Sequence, residues 1–165
     1  MGGTAGLADM VAAALRTRGV EADLVPAAEA GSISSYDLVV VGGALYANRW
    51  HRDARRFVTR HAAELRMVPV WLFSSGPLGD SERPADIPAV RQVDALSRRI
   101  GARGHVTFGG CLRPDAPGFM ARRMARTLGG DWRDPAAVDR WVAGIVAELA
   151  GPPSPAPGPA VVPPR

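Results

Sequence analysis

The sequence contains few of the residues from which disulfides and metal centres are built. Its 165 residues include one cysteine, Cys111, and three histidines. A single cysteine excludes an internal disulfide and any cysteine cluster for zinc or iron–sulfur. His51, His61 and His105 are scattered without the spacing of metal ligands, so we expect no metal.

Long apolar runs are also missing. No stretch of about 18 uninterrupted apolar residues is present, so the sequence predicts no membrane-spanning helix. The N-terminus lacks the basic region of a signal peptide, and its apolar residues recur at helical spacing. We therefore expect a cytoplasmic protein.

Lysine is absent, and arginine supplies all 20 basic residues, which leave a net charge of +4. A basic balance can indicate a polyanionic partner. The arginines are spread over several predicted helices, however, and the exclusive use of arginine is as consistent with a coding bias as with selection for a partner. The sequence therefore does not favour nucleic-acid binding.

What the chain does contain is an alternation of helical and strand patterns over residues 1–150, which is typical of one α/β domain. The predicted helices are Thr4–Arg18, Asp53–Arg66, Ala89–Ile100, Phe119–Leu128 and Asp134–Leu149. The predicted strands are Val20–Val25, Leu38–Val41, Val68–Ser74 and His105–Leu112. We expect Thr4 and Asp134 to be N-caps and Gly101 to end a helix. Residues 151–165 are Pro-rich and predict a disordered tail.

The helix predicted at Phe119–Leu128 has an apolar side and an arginine-rich side. Helical spacing of apolar residues favours a helix packed on the sheet. A lid, a partner-binding surface and peripheral contact with a membrane are the alternatives.

Two of the predicted strands lead into loops that suit a ligand. Leu38–Val41 runs into Gly42-Gly43 and a loop that carries Tyr46 and Trp50, and Val68–Ser74 runs into the small, polar loop Ser74–Asp80. Open α/β sheets bind ligands beyond the carboxyl ends of their strands, so these loops predict a crevice. The alternative is that the aromatic side chains fold back on the core.

Three segments carry a resemblance to a known family. VVVGGALYANRWHRDARRFVTRHAAEL, VPVWLFSSGPLGD and GGDWRDPAAVDRWVAGIVAEL resemble flavodoxin-domain proteins, in particular the branch that includes the bacterial menaquinone-dependent protoporphyrinogen oxidases. The chain also resembles actinobacterial flavodoxin-domain proteins, and the likeness runs from about Gly2 to Leu149. The resemblance implies a flavodoxin-like, doubly wound parallel sheet.

The resemblance also implies an FMN site made of three loops. The start of the first helix would hold the phosphate, Tyr46 and Trp50 would stack on or flank the isoalloxazine ring, and backbone N–H groups of the third loop would reach its pyrimidine edge. No side chain is assigned as an acid or base. The residues implied are Gly3, Thr4 and Ala5; Ala44, Leu45, Tyr46, Ala47 and Trp50; and Ser74, Ser75, Gly76, Pro77, Leu78, Gly79 and Asp80.

The activity implied is that of an FMN-dependent oxidoreductase that takes or passes one or two electrons. The nearest branch suggests protoporphyrinogen IX as substrate and a quinone as acceptor, in heme biosynthesis. Because a fold does not fix a reaction, two alternatives stay open: an electron carrier without a substrate of its own, and a non-catalytic module that keeps the fold without the cofactor. The sequence does not indicate an oligomeric state.

The chain departs from the family pattern at its N-terminus. Met1 falls inside the expected phosphate loop, so the family's first strand has no counterpart here. In the flavodoxin-like strand order that strand is central. Two explanations are open: a natural start upstream of Met1, or a shortened paralogue in which flavin binding is weakened.

Overall fold

Strands and helices alternate along the chain, as the hydrophobic pattern predicts. The computed structural model describes residues 3–76, 87–112 and 130–151. The helices are α1 (Gly3–Thr17), α2 (Arg52–Arg60), α3 (Ala62–Leu65), α4 (Arg91–Ile100) and α5 (Pro135–Ala150). The strands are β1 (Val39–Tyr46), β2 (Arg49–Trp50), β3 (Val70–Gly76), β4 (Gly104–Gly109), β5 (Cys111–Leu112) and β6 (Gly130–Asp131). Among the helices of these residues, none is long and apolar enough to cross a membrane.

The main sheet has the strand order β2-β1-β3-β4. β1, β3 and β4 are parallel, with Ala44 opposite Ser75 and Gly76 opposite Gly109, whereas β2 is antiparallel to β1. The carboxyl ends of the three parallel strands therefore lie at one edge, which we call the carboxyl edge. β5 and β6 form a separate antiparallel pair.

Helices cover both faces of this sheet. On one face α1 and α5 pack against β3 and β4 through a core that includes Leu7, Phe73, Phe108 and Val142. On the other face α2, α3 and α4 enclose a second core. All residues of β3 are buried, as expected for a parallel strand covered on both sides. The predicted doubly wound α/β fold is confirmed.

The strand predicted at Val20–Val25 is wrong, because this segment carries no strand. A strand needs a hydrogen-bonded neighbour. On the side of β1 away from β3, the only described neighbour is β2, which pairs with Leu45 and Tyr46. The apolar side chains of Leu24 and Val25 are accordingly 46% and 49% exposed.

The helix predicted at Asp53–Arg66 is divided at His61, which is buried and has non-helical backbone angles (φ −97°, ψ 18°). The imidazole lies between two charged groups: the Arg60 Nε–H donates to its Nε2 (3.0 Å), and its Nδ1 is 2.9 Å from Glu64 Oε1. Glu64 also accepts the N–H of Ile33. Hydrogen bonds from His61 and Ile33 lower the pKa of the Glu64 carboxyl.

The ends of the other elements follow the predictions in part. Asp134 caps α5 by accepting the N–H of Ala136 (2.9 Å), and Gly101 ends α4 with φ 67°, so both predictions are confirmed. The strand predicted at His105–Leu112 is divided after Gly109. The helix predicted at Phe119–Leu128 and most of the Pro-rich tail lie outside the described residues.

The two glycines of β1 do not end the strand as predicted; it continues through them to Tyr46. Glycine is present at these two positions because an aromatic ring lies directly against the backbone on each face of the strand. A Cβ on Gly42 would overlap the Phe73 ring, and a Cβ on Gly43 would overlap the Trp50 ring. The glycines are thus required by close packing.

We expect Gly43→Ala to destabilise the fold by about 1–3 kcal/mol, the usual cost of overpacking a filled core. Urea unfolding measures the change. Gly144→Ala is the matched control, because nothing lies within 4 Å of its Cβ position in α5. Alanine there should stabilise the helix by about 0.5–1 kcal/mol. Equal stability of the Gly43→Ala variant and the unsubstituted protein would contradict the packing described.

Candidate functional site

The described parts of the three predicted site segments come together at the carboxyl edge. A Cβ on Gly3 would lie 2.9 Å from the backbone nitrogen of Cys111, which places the start of α1 beside β5. The next residue back, Gly110, donates its N–H to the carbonyl of Gly76. The Leu45 side chain lies 3.5 Å from the Cβ position of Gly76. Pro77, Leu78, Gly79 and Asp80 lie outside the described residues.

The β1–β2 hairpin presents an aromatic ring at this edge. Its two turn residues, Ala47 and Asn48, have φ values of 46° and 59°, as in a type I′ turn. Tyr46 is paired with Arg49, and the residue is 53% exposed. The His51 ring meets the Tyr46 ring edge-on at a centroid distance of 6.3 Å. Tyr46 therefore offers a flat apolar surface next to the strand ends.

Trp50 lies on the opposite face of the same hairpin, in the core. Its side chain is 2% exposed. The indole Nε1–H donates to Ser74 Oγ (2.8 Å), and the backbone N–H donates to Gln92 Oε1 on α4 (3.0 Å). This position does not support the predicted stacking of Trp50 on a ligand. The residue instead fixes the hairpin to β3 and α4.

Ser74 continues this buried network to β4. Its hydroxyl is 2.8 Å from His105 Nε2, and the residue is only 1% exposed. Burial lowers the pKa of His105, which favours a neutral imidazole that can accept the Ser74 O–H. The hydroxyl oxygen is then the acceptor for the Trp50 indole. The Ser74 side chain therefore points into the core, and Ser75 is also buried.

The first turn of α1 has the properties of an anion site. The N–H groups of Gly3, Thr4 and Ala5 have no acceptor within the helix, and the helix dipole is positive at this end. A Cβ on Gly6 would overlap the Arg133 guanidinium, so a cation lies beside the same turn. Asp131 accepts from Arg133 Nε (2.7 Å), and this hydrogen bond lowers the Asp131 pKa to about 2.

Sequence reasoning did not assign Trp132 or Arg133 to the site. The Trp132 N–H donates to the Gly110 carbonyl (3.0 Å), and the Trp132 backbone carbonyl lies against Gly109 at the end of β4. The Trp132 ring lies against Gly130. Both residues belong to the segment GGDWRDP, which carried part of the resemblance. The resemblance of this segment could have indicated that it contributes to the site, but it does not show which of its residues lie at the carboxyl edge.

Together these features describe a doubly wound α/β protein in which an exposed aromatic ring and the first turn of a helix lie at the carboxyl edge of the sheet. The family model described as "Flavodoxin domain" matches residues 1–131. The chain therefore belongs to the flavodoxin domain family. No curated protein gives a significant match.

Several solved structures are similar to this chain. A cysteine-to-serine mutant of the flavodoxin from Pseudomonas aeruginosa has a TM-score of 0.53 and 14% identity, with 90% of this chain and 91% of that chain covered. Two-electron reduced Megasphaera elsdenii flavodoxin has a TM-score of 0.49 and 21% identity, with coverages of 66% and 76%. Rubredoxin oxygen:oxidoreductase from Desulfovibrio gigas has a TM-score of 0.50 and 12% identity; 87% of this chain matches 34% of that enzyme. The chain thus spans about a third of the enzyme's length.

The described residues fit FMN at two of the three predicted positions. The first turn of α1 suits a phosphate, and the exposed ring of Tyr46 suits one face of an isoalloxazine ring. Trp50 does not supply the second face, because its ring is inside the core. Backbone groups of Gly76 remain at the edge, where Leu45 and Gly110 adjoin it.

We expect Ser74→Ala to destabilise the fold by about 1–3 kcal/mol, because it leaves the buried Trp50 indole N–H without an acceptor. Urea unfolding followed by tryptophan fluorescence measures this cost. Ser35→Ala is the control, since Ser35 is exposed and should change stability by no more than about 0.5 kcal/mol. A Ser74→Ala variant as stable as the control would contradict the anchoring network.

His105 gives a pH dependence with a defined sign. Its pKa is lowered from 6.5 on folding, so the unfolded chain takes up the proton first as pH falls. The free energy of unfolding should therefore decrease from pH 6.5 downward, until the folded-state pKa is passed. His105→Gln should remove this component, which urea unfolding across the range would show. Identical pH slopes for the two proteins would contradict the burial of a neutral His105.

Proposed function

We propose that this protein binds FMN at the carboxyl edge of its sheet and acts as a flavodoxin-type redox protein. The observation that carries the proposal is the exposed ring of Tyr46, held on a hairpin at the same edge as the first turn of α1. A flat apolar surface and a helix N-terminus whose first N–H groups have no acceptor within the helix are the two features that a flavin with a phosphate group requires. The family membership supports the same reading.

Different residues of the chain would bind different parts of FMN. The N–H groups of Gly3, Thr4 and Ala5, with the Thr4 hydroxyl, would hold the phosphate at the positive end of the helix dipole. Arg133, which is paired with Asp131, lies beside them. Tyr46 would cover one face of the ring and exclude water from it. Backbone groups of Ser75, Gly76 and the loop that follows would contact the polar edge. The bound flavin would supply the redox chemistry, by accepting and passing one or two electrons.

The proposal extends to the electron donor and the electron acceptor. The resemblance to menaquinone-dependent protoporphyrinogen oxidases supports protoporphyrinogen IX as electron donor and a quinone as acceptor, in the cytoplasm and with peripheral access to a membrane. Turnover of the porphyrinogen by FMN-loaded protein supports this assignment. Flavin reduction and reoxidation without such turnover would favour an electron carrier.

Tyr46→Ala tests the binding site. Stacking of a heteroaromatic ring on an aromatic side chain contributes about 1–3 kcal/mol, so FMN affinity should fall about 5- to 150-fold. Titration followed by flavin fluorescence measures the dissociation constant. Tyr36→Ala is a matched control, because Tyr36 is the other tyrosine of the chain, is 37% exposed and precedes the amino end of β1.

The control variant should bind FMN as the unsubstituted protein does. Equal affinity of the Tyr46→Ala and Tyr36→Ala variants would remove Tyr46 from the site. Purified protein that stays colourless and gains no thermal stability from added FMN would contradict the proposed function as a whole and favour a non-catalytic module.

A further inference from the structure

An arginine lies directly across the hairpin from the exposed tyrosine. Arg49 is the β2 partner of Tyr46, and paired residues on antiparallel strands project to the same face. The buried side chain of Trp50 occupies the other face, so Arg49 is turned outward with Tyr46. Within the described residues Arg49 forms neither a hydrogen bond nor an ion pair, and it is exposed. No acidic side chain of the described residues therefore neutralises its charge.

Most of the charged residues that follow this arginine in the sequence are also positive. The stretch from Tyr46 to Arg60 contains five arginines and a single acidic residue, Asp53. Asp53 already contacts Arg52 (3.5 Å) and His51 (3.3 Å). α2 begins at Arg52, and the N-terminus of a helix adds partial positive charge. Among the described residues, Arg49 and the N-terminus of α2 would therefore give a ring stacked on Tyr46 a positive local field.

Such a field distinguishes the oxidised from the reduced form of a flavin. Uptake of two electrons and one proton, from a chemical reductant such as dithionite, adds one net negative charge to the isoalloxazine ring. A nearby cation stabilises that added charge and has little effect on the neutral oxidised ring. The cation thus raises the reduction potential of the flavin. The effect is larger where solvent and salt screen the charge less.

We propose that Arg49 sets the reduction potential of the bound flavin by stabilising its anionic reduced form. The proposal rests on the proposed FMN site and gives a role to a residue of the predicted second loop that the family resemblance did not single out. Arg49 contributes charge from the hairpin face that carries Tyr46.

The test is the reduction potential of the FMN-loaded full chain at saturating FMN, measured by equilibration with a reference dye. For Arg49→Gln, the ratio of reduced to oxidised flavin at a fixed ambient potential should fall about threefold. This is the size of effect expected when one exposed charge is removed in a medium of high dielectric constant. That change equals about 14 mV, since a tenfold change corresponds to 29.6 mV for two electrons. Arg49→Lys, which keeps the charge, should stay near the unsubstituted protein.

Arg99→Gln is the control, because Arg99 is exposed at the far end of α4. It should leave the potential unchanged. The Arg49→Gln shift should shrink in high salt, as expected for a screened charge. An unchanged potential in Arg49→Gln, or an equal shift in Arg49→Lys, would overturn the role of Arg49 and leave FMN binding standing. Failure of the unsubstituted protein to bind FMN would overturn both proposals.

Discussion

The burial of one indole ring organises the carboxyl edge of this protein. Trp50 fills the space above Gly43 and donates hydrogen bonds to Ser74 and Gln92. β2, which carries Trp50, pairs with β1 alone, so these side-chain and backbone contacts to β3 and α4 hold β2 against the domain. A buried indole ring whose N–H has a hydrogen-bond acceptor stabilises the fold in two ways, through the burial of apolar surface and through the hydrogen bond itself.

The same burial decides what the hairpin offers to a ligand. Side chains alternate between the faces of a strand, so placing Trp50 in the core turns Arg49 outward, and placing Leu45 against the core turns Tyr46 outward. The tight turn at Ala47-Asn48 keeps the two outward residues paired. The packing of Trp50 in the core thus places the aromatic ring of Tyr46 and the charge of Arg49 side by side at the carboxyl edge, where α1 also begins.

The sequence predicted the elements whose signals are local. β3 was recognisable as a continuous apolar run, and Asp134 and Gly101 act through their own neighbours in the chain. Distant partners explain the failures. Gly42-Gly43 suggested the end of a strand because the rings that require glycine there come from Phe73 and Trp50. Within the site, an aromatic residue after a strand does not reveal whether its ring is buried or exposed. Tyr46 and Trp50 were therefore grouped together, although one is exposed and the other buried.

Hydrogen exchange at the Trp50 indole tests the anchoring most directly. The indole N–H of each of the four tryptophans is observable in a proton–nitrogen spectrum of labelled protein. We predict that the Trp50 N–H exchanges only on global unfolding, both without and with FMN, because its acceptor is buried in the core. Rapid exchange of this N–H in the folded protein would contradict the anchoring role of Trp50 and the hairpin geometry that depends on it.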